Sequence, residues 1–90
     1  MNAEVRSISR MSAMHEVAAR NGWAILEVRA NQSEAVVLFN RSRGPFGAER
    51  WFGTAAYSFE NTGFFWGHYD LTFDEARIDF SDRCNRTFPA

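Results

Sequence analysis

The chain has 90 residues, of which 46% are hydrophobic, 23% charged and 16% aromatic, and a formal net charge of −1. A chain this short builds one domain around one core, over residues 1–90, and has no room for a cofactor cleft between two domains. The near-zero charge excludes a whole-molecule field for nucleic acid or anionic membranes, no run approaches the roughly 20 apolar residues of a membrane span, and an all-arginine basic set excludes lysine chemistry.

Residues Ala3 to Asn21 read as a helix. At 100° per residue, Ile8, Met11, Met14, His15, Ala18 and Ala19 share one face, which places His15 in the core, and Gly22 stands where a C′ glycine ends a helix. Trp23 to Arg29 follows as a strand, and Asn31-Gln-Ser33 supplies a turn. Ala35-Val-Val-Leu-Phe39 is apolar at every position, the mark of a central strand. Arg41 to Ala48 is a glycine-containing loop, Glu49 to Phe59 a third strand, Glu60-Asn-Thr-Gly63 a turn, and Phe64 to Tyr69 a fourth strand. Thr72-Phe-Asp-Glu75 is a capping box, and it opens a helix from Phe73 to Cys84 with Phe73, Ala76, Phe80 and Cys84 on one face. The connections are too short for parallel crossovers. The expected fold is therefore α+β and two-layered: a four-stranded antiparallel meander in the order αββββα, with both helices on one face.

Strict alternation sends Phe64, Trp66 and His68 to one side of the fourth strand and Phe65, Gly67 and Tyr69 to the other. Two helices on one face would then leave an aromatic sheet surface, with Trp51, Tyr57, Phe64 and Trp66 as candidate contact residues. A second candidate surface is the acidic side of the last helix, where Asp74, Glu75 and Asp82 surround Ile78. Arg41, Arg43 and Arg50 beside Trp51 form the one basic patch, and they support nucleic-acid binding as the alternative reading.

Catalytic signatures are missing: there is no G-x-G-x-x-G, Walker lysine, H-E-x-x-H or C-x-x-C. His68 and Asp70, at i,i+2 on a strand, would let a carboxylate orient an imidazole, but no third group stands at a recognisable spacing. Cys84 reads as a small core residue. We expect a non-enzymatic domain with no cofactor and no metal. One cysteine and no charged-then-apolar N-terminal pattern point to the cytoplasm.

Gly67-His-Tyr-Asp-Leu-Thr-Phe-Asp-Glu-Ala76, followed by Asp79-Phe80 and Arg83, resembles the strand-to-helix ending of small uncharacterised domains from high-GC bacteria, their phages and plasmids. The resemblance covers residues 67–83 and implies no activity or site. In format the chain is similar to small phage-encoded inhibitors of the anti-CRISPR and anti-restriction kind, which occupy a surface on a host complex. That format implies occlusion or scaffolding by protein–protein contact, with another protein or with a second copy as a homodimer.

Overall fold

The computed structural model describes residues 3–89, with side chains from Ser9 onward; Ile8, assigned above to the apolar helix face, lies outside the described side chains. The elements are α1 (Ala3–Arg20), β1 (Ala24–Ala30), β2 (Glu34–Asn40), β3 (Phe52–Ser58), β4 (Gly63–Leu71) and α2 (Phe73–Thr87). The strands form one antiparallel sheet in the order β1-β2-β3-β4, the expected α+β meander. A 3-10 turn at Ala48–Arg50 occupies what the sequence suggested as the start of the third strand.

Local chemistry sets the boundaries. Gly22, at φ +79, ends α1: its N–H donates to Ala19 and that of Trp23 to Ala18, which satisfies the last helical carbonyls. The Asn31 side chain accepts from the N–H groups of Ser33 (2.8 Å) and Glu34 (2.9 Å), closing the β1–β2 turn. Both arms of the Thr72/Glu75 capping box are formed. The bond from the Thr72 backbone N–H, with lesser help from the Thr72 hydroxyl and Arg50, holds the Glu75 carboxyl below its ordinary pKa. Thr72→Ala is expected to cost about 1 kcal/mol in urea denaturation, with Thr72→Ser close to wild type.

The layering differs from expectation. Met14 and Ala18 of α1 pack with Ala35, Val37, Phe39, Ala55 and Tyr57 on one face of the sheet. Helix α2 lies on the opposite face, where Asp79 bonds Thr54, and its buried Ala76 and Cys84 face the side that carries Val36, Leu38 and Ala56. The helices thus sandwich the sheet instead of sharing a face. The reason is the all-apolar run of β2: five consecutive buried residues need cover on both sides. His15 is exposed, beside rather than within the stripe that Met14 and Ala18 bury. No helix among the described residues is long and apolar enough to cross a membrane.

Candidate functional site

Strand β4 is not a regular strand. Its register against β3 runs Tyr57↔Phe64 and Ala56↔Phe65, then Thr54↔His68, then Phe52↔Leu71, so β4 carries one extra residue in each of two intervals. Each bulge holds a non-glycine residue in left-handed conformation, Trp66 at φ +52 and Asp70 at φ +61. Such a conformation costs roughly 1–2 kcal/mol for an L-residue with a Cβ.

The first bulge reverses the alternation at His68 and Tyr69, and the second restores it at Leu71. Phe64 and Tyr69 face α1: Phe64 lies 4.9 Å from Trp23 and 4.8 Å from Tyr57, and Tyr69 lies 6.0 Å from Trp23 and 5.9 Å from Phe39, ring to ring. His68 shares the α2 face with Thr54. Trp66 turns outward and is 78% exposed, the most exposed large apolar side chain among the described residues.

Beneath Trp66 lies a polar cluster. Asp79 Oδ2 accepts from the Thr54 hydroxyl, from His68 Nδ1 (2.8 Å) and from Arg83 Nε (3.3 Å). Arg83, only 7% exposed, also donates through Nη2 to the carbonyl oxygen of Trp66. A buried guanidinium therefore clamps the strained bulge, and Asp79 balances its charge. Burial pushes the Asp79 carboxyl up, but the Thr54 and His68 hydrogen bonds and the nearby charges of His68 and Arg83 outweigh it and hold the pKa below normal. Alongside runs a cleft of about 370 Å³ whose walls include Glu34, Phe65, Trp66, His68, Arg83 and Arg86. With Nδ1 engaged by Asp79, Nε2 is the uncommitted ring nitrogen of His68.

The nucleophilic groups near the cleft are committed or buried within the fold. The nearest hydroxyl, Thr54, is fully buried and committed to Asp79. The thiol of Cys84 is buried, and desolvation raises its pKa. No cluster of three or more metal-ligating side chains occurs among the described residues.

The sequence-derived candidates separate. Of the proposed aromatic surface, Tyr57 is 1% exposed under α1, Phe64 is half-buried in the same cluster, and Trp51 is half-buried with its carbonyl accepting from the Arg41 N–H. Of these four only Trp66 is exposed, because Tyr57 and Phe64 lie on the sheet face that α1 covers. The expected His68–Asp70 pair is also replaced. The second bulge turns Asp70 toward Arg41, whose guanidinium sits 5.1 Å from the Tyr69 ring, and His68 pairs with Asp79 from α2. Among the arginines of the basic patch, Arg41 bonds Asp70 and Arg50 bonds Glu75 (3.0 Å), so only Arg43 has no ion pair among the described residues. On α2, Asp74, Ile78 and Asp82 are exposed as expected, whereas Glu75 is engaged by the cap and Arg50. Thr54, Asp79, Arg83 and Arg86 were missed. The available signal was Gly67, a glycine inside a strand, which marks a bulge.

Both sheet edges are blunted: β1 by a register break between Ile25 and Glu27, and β4 by its two bulges. No protein-family model, curated protein or solved structure matches the chain.

Proposed function

We propose that this is a non-enzymatic protein-binding domain that acts by occlusion or scaffolding, with Trp66 as its anchor. One observation carries the reading: a tryptophan 78% exposed on a strained bulge whose carbonyl is clamped by a buried arginine. Strain of this kind persists only where surrounding structure enforces it, and it gathers at functional positions. A tryptophan also has only two side-chain torsions to fix when a partner covers it, and tryptophan recurs at interface hot spots. The partner is another protein or a second copy of this chain. The phage-inhibitor format noted above suits such a role.

Trp66→Gly tests it. Glycine accepts the left-handed conformation without strain, so stability should stay equal or rise by up to about 1 kcal/mol in chemical denaturation. Partner recovery in affinity capture with quantitative mass spectrometry should fall at least tenfold, with Arg77→Ala as an unaffected surface control. Light scattering at high micromolar concentration distinguishes self-association from a foreign partner. A loss of more than 1 kcal/mol on folding, with recovery unchanged, would make Trp66 structural and remove the reading.

The nucleic-acid alternative draws on Arg43 and the neighbouring arginines, but the Asp70 and Glu75 pairings neutralise two of the three. It requires affinity that falls steeply with salt.

A further inference from the structure

The cleft beside Trp66 has a chemistry of its own. Its walls bring together three cationic or cation-capable side chains, His68, Arg83 and Arg86, against one carboxylate, Glu34. Their commitments differ. Arg83 is spent within the fold, on Asp79 and on the Trp66 carbonyl. Arg86 is exposed and has no ion pair among the described residues, and His68 uses only Nδ1 internally. One donor, the Arg86 guanidinium, is thus left without an acceptor among the described residues, and His68 Nε2 adds a second when the imidazole is protonated, beside an apolar wall formed by Phe65 and Trp66, whose rings meet edge to face at 5.1 Å.

From this geometry we propose that the cleft receives a carboxylate from the partner protein, an Asp or Glu side chain next to an apolar residue that packs on Trp66. The inference rests on the protein-binding reading above and names what the partner presents. Arg86 holds the carboxylate, joined by His68 Nε2 in the imidazolium form, and the Asp79 bond to Nδ1 fixes the plane of the imidazole while Arg83 holds the Trp66 carbonyl. Glu34 in the same wall disfavours a run of negative charge, so a single carboxylate fits better than a phosphate backbone. The exposed acids Asp74 and Asp82 on α2 act in the same direction, repelling a polyanion.

Selection of a random twelve-residue peptide library on the immobilised full chain tests this. The expected result is enrichment of peptides that place Asp or Glu within a few residues of an aromatic or leucine. Replacing that acid by its amide should weaken binding about tenfold, as should Arg86→Gln. Trp66→Gly should abolish enrichment. Peptides that depend on Trp66 but show no acid preference would overturn the carboxylate inference and leave the protein-binding reading intact. Enrichment that survives Trp66→Gly, or no enrichment at all, would overturn both. Saturable binding of a single-stranded oligonucleotide that is lost in Arg86→Gln would overturn the inference in favour of a phosphate ligand.

Discussion

Gly53→Ala should lower stability by about 3 kcal/mol and shift the melting temperature by more than 10 °C. Gly53 is the second residue of β3, opposite the second bulge of β4. A Cβ there would sit 2.6 Å from Cζ of Phe39 and closer still to the carbonyl oxygen of His68. Neither can yield cheaply. Phe39 is fully buried and stacked on Trp23 at a centroid distance of 3.9 Å, and the His68 carbonyl belongs to the backbone that sets the register of the site. The substitution therefore tests the site as well as the fold. If β4 moves to make room, His68 leaves Asp79, and peptide binding should fall in molecules that remain folded. Circular dichroism melts combined with amide exchange of β4 provide the measurement. A change under 1 kcal/mol with an unaltered His68 resonance would refute the close approach of β4 to Gly53.

Asp79→Asn should have the second large effect, about 2–3 kcal/mol at neutral pH, because it leaves the buried Arg83 guanidinium without its countercharge. The figure is set below that of a fully buried pair because the Asp79 side chain is 25% exposed. The pH dependence follows from the lowered Asp79 pKa. Its contribution is complete above the ordinary carboxyl value of 3.8 and is lost as the pH falls through the lower folded-state value. Wild type and Asp79→Asn should therefore differ most at neutral pH and converge in strong acid. Glu75, also lowered, adds to the acid sensitivity of both forms equally. Urea midpoints between pH 2 and 7 check the convergence, and parallel curves across that range would place the stabilisation elsewhere.

Residues 22–39 and 72–84 were legible in the sequence. Gly22 ends a helix because only glycine takes φ +79 at no cost, and Thr72 with Glu75 starts one because two orphan N–H groups are satisfied reciprocally. Both effects act within a few residues, so order, element type and antiparallel pairing were legible. The continuous apolar run Ala35–Phe39 also held the answer to the layering, since a strand buried on both faces needs a helix on each. Trp66 was visible as an aromatic contact candidate, but alternation gave it the wrong neighbours.

The bulges and the ion pairs were decided only by the tertiary structure. Trp66 and Asp70 adopt left-handed backbone because Arg83 reaches the Trp66 carbonyl from another element and Arg41 draws Asp70 away from His68. Local propensity disfavours that conformation for a tryptophan and tolerates it for an aspartate, so at Trp66 above all a long-range hydrogen bond holds it. The pairing of His68 with Asp79 spans 11 residues and two elements, and it arises only once α2 lies on the face opposite α1. The sequence by itself determined the elements and their order, through capping, turn chemistry and hydrophobic period. Which aromatic stays in solvent and which carboxylate meets the histidine depended on where two helices settle on a sheet, a matter of packing between residues far apart in the chain.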